Sequence, residues 1–439
     1  MATSQAAADF LAAFERDPKS RPGAEPGWLR ERRRAAIATF RDRGFPTTHD
    51  EEWRYTNVQP LLAVGFGMAN GGSRAVQAEE IFASSFLDRT DHRLIFINGV
   101  YSPELSCVRA LPENVRVESL AAALKNDDPV VEGHLFRYAR TQEQAFAALN
   151  TAFAVDGALI HVPRGVVIEA PLYLVFVSVG GGTPFLSQPR NLFVLEAGSQ
   201  ACVVESYIGV ANQVSWTNVV TEILGGEGAT IDYYRVQREG NNAFHVGAFE
   251  ASLQANCNLT AHAITLEGAL VRNDARVVLG GEGAECALNG LYLMDGKQHV
   301  DNHTEIEHVK PRATSFELYK GILGGDAHAV FNGKILVYQD AQKTNARQTN
   351  KNLLLSENAV VNTKPQLEIH ADDVKCSHGS TIGQLDRDAL FYLRSRGLSL
   401  GDAQSLLSYA FASDVVGRIK VPLMRARLDD CLLTKFGRK

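Results

Sequence analysis

The chain has 439 residues, 45% hydrophobic and 21% charged, enough for one large core or two to three domains of an ordinary folded protein. Its net charge of -6 and pI near 6.1 give no global electrostatic footprint for nucleic acid or an anionic membrane. The first residues, MATSQAAADFLAAFERDPKS, lack the basic stretch and apolar run of a secretory signal, and no apolar run approaches a membrane span. A cytoplasmic location is therefore expected, with no nucleic-acid and no membrane partner.

In chain order, residues 1 to about 80 read as mostly helical. Phe10, Leu11 and Phe14 are spaced for an amphipathic helix, and Trp28, Leu29, Ala36, Ile37 and Phe40 for a second that stops at Gly44. The polar segment THDEEWRYTN follows, punctuated by Trp53 and Tyr55, and then GMANGGS as a turn or loop. RLIFINGVYSPELS, from Arg93, predicts two short strands about an Asn-Gly turn. SLAAALKN and TQEQAFAALNTAFA predict two further helices.

From about residue 157 the period changes. More than 200 residues consist almost entirely of short β-prone runs and Gly/Asn/Asp turns, with no amphipathic helix between them, which argues against an alternating α/β fold. LGGEGA occurs at 224–229 and again at 279–284, with a weaker third copy, LGGDAHA, at 323–329. None continues into Gly-Lys-Ser/Thr or opens a helix, so these are corners rather than phosphate loops. Gly-rich corners between short strands suit an irregular parallel β-helix, with a double-sheet jelly roll as the structural rival. Helical patterns return at 386–396 and from about Leu400 to Gly417, split at Gly397, with Ser399 as a cap and Asp402 three residues on. One face of this pair is expected to cover the end of the β tract.

Six dispersed cysteines, Cys107, Cys202, Cys257, Cys286, Cys376 and Cys431, form no CxxC pair and suit free thiols. Only Cys376 has polar company, in ADDVKCSHG at 371–379. If 368–378 is one extended strand, Glu368, His370, Asp372, Val374, Cys376 and His378 share a face. Cys376 and His378 can then present a thiolate and an imidazole together, ligands that soft metals and iron-sulfur species accept. The same spacing fits a nucleophile with its base, or a buried thiol beside a structural histidine. A second polar stretch, GKQHVDNHTEIEHVKP, carries His299, His303 and His308 with Glu305 and Glu307. In a strand Asp301, His303, Glu305 and Glu307 share parity and His308 does not. A β-helical or cupin-like metal-dependent hydrolase using these histidines is the alternative function, although HExxH is absent.

The segment ADDVKCSHGSTIGQLDRDALFYLRSRG, continuing through GDAQSLLSYAFASDVV, closely resembles the C-terminal motif of the SufB/SufD family of iron-sulfur cluster assembly proteins. PTTHDEEWRYTNV, LIFINGVYSPELS, DNHTEIEHVKP and FNGKILVYQDAQKTNARQTNKNLLLSENA match as well, so the resemblance covers nearly the full chain. It implies a mainly β fold: a right-handed parallel β-helix (an irregular solenoid, 151–384) flanked by an N-terminal helix-rich domain with a short β segment (1–150) and a C-terminal helical domain (385–439). It further implies a non-enzymatic scaffold subunit of the SufBCD complex. Such a subunit pairs with SufB through the β-helix and binds the ATPase SufC through the C-terminal helices. ATP and Mg belong to SufC, and no cofactor is held permanently; a transient iron-sulfur cluster forms with SufB. Where the SufB pattern has His-Glu this chain has His378 and Gly379, and Ala359 stands where SufB has its essential cysteine, so the chain resembles SufD. The resemblance places His378 first and Cys376 second at the cluster-assembly interface, His378 as a transient iron ligand. A homodimer is expected of the isolated chain, because exposed β-helix edges seek cover.

Overall fold

The computed structural model describes residues 2–16, 25–69, 77–87, 92–109, 111–126, 128–180, 182–210 and 213–436. The N-terminal region supplies α1 (Ala2–Arg16), α2 (Gly27–Arg43), α3 (Gln59–Leu62), β1 (Gly67–Met68) and α4 (Ala78–Ser84). It continues with β2 (His92–Ile97), β3 (Val100–Tyr101), β4 (Arg116–Ser119), α5 (Leu120–Lys125), α6 (Pro129–His134) and α7 (Ala145–Phe153). Helix α2 stops at Gly44, whose positive φ of 65° lets its N–H reach back to Phe40. The Asn98-Gly99 turn has positive φ at both residues, the geometry that joins β2 antiparallel to β3. Of the loop expected at GMANGGS, Gly67–Met68 instead pair with Phe185 and Leu186, and residues 70–73 lie outside the described residues.

The chain then winds into a parallel β-solenoid of about seven turns, each contributing one strand to each of two sheets. The first sheet holds β5 (Ala158–Val162), β7 (Phe185–Ser187), β8 (Arg190–Leu195), β10 (Ser215–Gly225), β12 (Phe244–Leu253), β14 (Leu270–Leu279), β16 (His299–His308), β18 (His328–Val337) and β20 (Val360–Ile369). The second holds β6 (Leu172–Val179), β9 (Gln200–Val210), β11 (Thr230–Arg238), β13 (Asn258–Thr265), β15 (Glu285–Met294), β17 (Thr314–Leu323), β19 (Asn345–Leu354) and β21 (Lys375–Gly383). Every pairing between successive turns is parallel, which excludes the jelly roll.

Phe244 pairs with Leu270 and Leu159 with Leu192, so successive turns consume between 26 and 33 residues. The 55-residue separation of the two LGGEGA copies is thus two turns, and both lie where the first sheet hands over to the second. The weaker third copy lies at the opposite corner, between β17 and β18. Gly228 and Gly283 hold positive φ, while Gly226 and Gly281 let each corner stack on the backbone of the one before.

Alternate residues point into the solenoid, where Ile231, Tyr233, Leu259, Cys286, Tyr292, Ile306, Tyr319 and Phe331 form one continuous core. On the outer face of the first sheet, Trp216 meets Phe10 of α1 and Phe146 of α7, seating the N-terminal region. The outer face of the second sheet is covered by α9 (Leu400–Val416) and α10 (Pro422–Phe436), the latter a third helix beyond the two expected, while α8 (Arg387–Ser395) packs on α9. Val415, Val416, Met424 and Leu428 of these helices pack over Tyr234, Ile264, Leu291 and Ile322. The cap at Ser399 forms as expected: its Oγ accepts the Asp402 N–H at 3.1 Å. Contrary to expectation, the helices do not cover the end of the β tract. They turn back along its flank, where they bury the apolar outer stripe of the second sheet.

At Gly281 a Cβ would lie 1.9 Å from the backbone nitrogen of Ala255. Gly281→Ala is therefore expected to cost about 3 kcal/mol, the upper end of ordinary overpacking. A lowered thermal unfolding midpoint measures it; an unchanged midpoint would show that the corners do not need this close approach.

Candidate functional site at the open end of the solenoid

The two ends of the solenoid differ. At the N-terminal end β3 and β4 add antiparallel strands to the two sheets. At the other end β20 and β21 are the outermost strands among the described residues, each paired on one side alone. Their inward residues have no following turn above them.

Cys376, His378, Ser380 and Ile382 of β21 face this end. Their register partners one turn earlier, Ala346, Gln348, Asn350 and Asn352, are inward and buried. Covering by the next turn makes the difference: Gln348 is 1% exposed, whereas His378 is exposed and Cys376 half-buried. Ser380 Oγ donates to Thr363 Oγ1 at 3.0 Å, linking the two sheets across the opening. Cys376 packs at the corner with Ile335, Val337, Ala346 and Ala371. Burial pushes its thiol above the usual range, and the Ala346 backbone only partly offsets this. The thiol is thus protonated at neutral pH and must lose its proton to become a metal ligand.

The structure corrects the single-face reading of 368–378. β20 ends at Ile369 and β21 begins at Lys375, so residues 370–374 are a corner. Glu368 and His370 therefore do not share the face of Cys376 and His378, which keep their common side because both lie within β21. Among the described residues no group of three or more His, Cys, Asp and Glu side chains is placed to hold a metal ion. Cys376 and His378 suit iron in donor type but supply only two ligands, so a cluster needs the rest from elsewhere.

Sequence reasoning missed what lies beneath His378. Glu317, Gln348 and His378 are successive register partners on β17, β19 and β21. Gln348 Nε2 donates to Glu317 Oε2 at 2.7 Å. Burial pushes Glu317 up to about 7, against the smaller opposing effects of its bonds to Thr304 and Gln348. The signal was the turn length of about 30 residues, which links position 378 to 348.

The histidine-rich strand β16 forms a different site. Asp301, His303, Glu305 and Glu307 share its outer face, as the parity reading expects, whereas His308 points inward and bonds Ser315 Oγ at 2.8 Å. The three histidines do not converge. The outer residues instead receive the THDEEWRYTN segment. Thr56 Oγ1 donates to Asp301 at 2.5 Å, His303 lies 3.0 Å from both Glu52 and Asp301, and Glu51 pairs with Lys364 at 2.6 Å. Arg272 bridges Asp274 and Asp301 and lies under the Trp53 ring, 4.3 Å from its centroid. His299 Nε2 donates to Thr56 Oγ1 at 2.9 Å, and burial pushes its imidazole down to about 4. A cleft of about 650 Å³ beside this strap is lined by Arg140, Glu250, Arg276 and Glu305. Its charges are mostly spent on one another, Arg140 on Glu305 and Arg276 on Glu307, each at 2.5 Å.

Burial and Arg272 push His303 down, but Asp301 and Glu52 more than offset them and hold its pKa above the ordinary histidine value. A raised folded-state pKa contributes stability that is full below the ordinary histidine range and lost as pH rises through the folded value. The strap is therefore expected to be held more firmly at pH 6 than at pH 9. Hydrogen exchange at residues 53–56, corrected for intrinsic rates, checks this, and greater protection at pH 9 would refute it.

The sequence comparisons agree with this architecture. Residues 176–411 match the SufBD core domain of the SUF iron-sulfur cluster assembly system, and residues 5–174 match the SufBD N-terminal region. An iron-sulfur cluster assembly SufBD family protein of Synechocystis sp. is 35% identical over 418 residues, 93% of this chain and 92% of that protein. The iron-sulfur cluster assembly protein SufD of Escherichia coli is 31% identical over 379 residues, 86% of each chain. SufD of Bacillus subtilis is 25% identical over 416 residues, 92% of this chain and 93% of that one. With matches spanning both the N-terminal region and the solenoid core, this chain belongs to the SufBD family of iron-sulfur cluster assembly proteins.

Proposed function

We propose that the chain is a non-enzymatic scaffold subunit that meets a SufB-type partner through the open end of its solenoid and builds a nascent iron-sulfur cluster at that junction. The observation that carries the reading is the uncovered last turn, with an imidazole and a thiol presented between two strands that each lack a neighbour. Such edges and half-covered interior groups favour a second β-solenoid as their complement. In this reading the cluster is cargo, and the chain contributes part of its cradle. His378 is the first ligand, since it is exposed. Cys376 is second, because its burial disfavours the thiolate. The remaining ligands come from the partner, and the site releases its cargo because neither subunit holds a full set. An isolated chain would cover the same edges with a second copy of itself.

A SufC-type ATPase would bind the C-terminal helices, where Phe391 is 75% and Tyr392 60% exposed, with Leu400 and Leu406 nearly half exposed. An apolar surface of this kind on short helices suits a helix-docking partner. ATP and Mg would then be bound by that partner. The cytoplasm suits six free cysteines.

Reconstitution with SufB- and SufC-type partners tests the reading. His378→Ala should lower cluster formation, followed by visible absorbance, by about 10-fold or more while the complex still co-elutes. Cys376→Ser should have a smaller effect. Wild-type cluster yield from His378→Ala would remove the open end from the mechanism. Separately, Phe391→Asp with Leu406→Asp should release the ATPase subunit in size-exclusion chromatography without loss of the SufB-type partner; retention of the ATPase would place its site elsewhere.

A further inference from the structure

The Gln348 amide is held from two sides. Across the interior it presses on Gly333 of β18, where a Cβ would lie 2.3 Å from Nε2 and 2.8 Å from Cδ. Beneath it, Nε2 donates to Glu317 Oε2 at 2.7 Å, and both residues are almost fully buried. With the amide nitrogen donating to Glu317, the amide oxygen faces away from it. That oxygen, Gln348 Oε1, is buried with no hydrogen-bond partner. An acceptor buried without a partner is unfavourable, so the arrangement calls for a donor.

The next residue in the same inward column is His378, whose Cα is one strand spacing, about 4.8 Å, beyond that of Gln348. Its ring has no hydrogen-bond partner among the described residues. A histidine that binds a metal through one ring nitrogen usually donates the N–H of the other to an acyl oxygen or water, which fixes its tautomer and orientation. We propose that Gln348, oriented by Glu317, is a positioning residue for His378: its Oε1 accepts the inner ring N–H and leaves the outer nitrogen's lone pair facing the opening. Gly333 belongs to the same device, since any side chain there would displace the amide. The inference rests on reading His378 as an iron ligand, but both partners of the proposed bond belong to this chain.

The test uses the full chain with ¹⁵N-labelled histidine at pH 8, reading the ring tautomer of His378 from two-bond proton–nitrogen correlations. His378→Ala identifies the signal. Wild type should show one tautomer, and Gln348→Leu should return His378 to the mixture of a free imidazole. The exchanged pair Glu317→Gln with Gln348→Glu keeps a donor below and an acceptor above, so it should restore the single tautomer; it also controls for a folding defect in Gln348→Leu. In the reconstituted complex, Gln348→Leu should lower cluster yield by about 10-fold and the exchanged pair should recover most of it. Identical His378 spectra in wild type and Gln348→Leu would overturn the inference, whatever His378→Ala does in assembly. Normal assembly by His378→Ala would overturn the ligand role, and with it the positioning role, even where the spectra respond.

Discussion

In-register stacking of successive turns governs this molecule. Each inward side chain is covered by the residue about 30 positions later, and that covering allows Glu317, Gln348 and Asn350 to sit almost without exposure inside a β-solenoid. Covering also has to stop somewhere. Cys376 and His378 occupy the same columns as buried residues but belong to the turn with nothing above it. Their availability is a consequence of position in the stack, with no special backbone geometry required.

The two flanks of the solenoid explain why one end stays open. The second sheet carries an apolar outer stripe, Tyr234, Ile264, Leu291 and Ile322, which draws the C-terminal helices back along its side. The first sheet carries a charged outer ladder through Arg272, Asp301 and His303, which cannot be covered by apolar packing and is met instead by the strap around Glu52, Trp53 and Thr56. Buried charges on the ladder are tolerated because each has a partner of opposite sign or a hydrogen bond within reach. The N-terminal end is finished by antiparallel strands. Among the described residues, β20 and β21 leave both sheets with an unpaired edge at the open end.

Local chemistry in the sequence found several features because they depend on short spacings. The Asn98-Gly99 turn, the Ser399 cap, the corner glycines and the outward parity of Asp301, His303, Glu305 and Glu307 all follow from neighbours within a few residues. The extended reading of 368–378 failed for the same reason: alternation continues only while a strand does, and the corner at 370–374 matches earlier corners rather than any local breaker. The unequal spacing of the glycine-rich copies, puzzling as a repeat, resolves once two lie two turns apart on one corner and the third lies on the other.

By itself, the sequence determined the β-solenoid class, the family resemblance and the common face of Cys376 and His378, since patterning and motif are properties of adjacent residues. Tertiary structure alone decided that this face is open, that the C-terminal helices leave it so, and that Gln348 and Glu317 lie beneath His378. Those facts depend on contacts between residues one or more turns apart and on where the stack ends, and neither is written in local spacing.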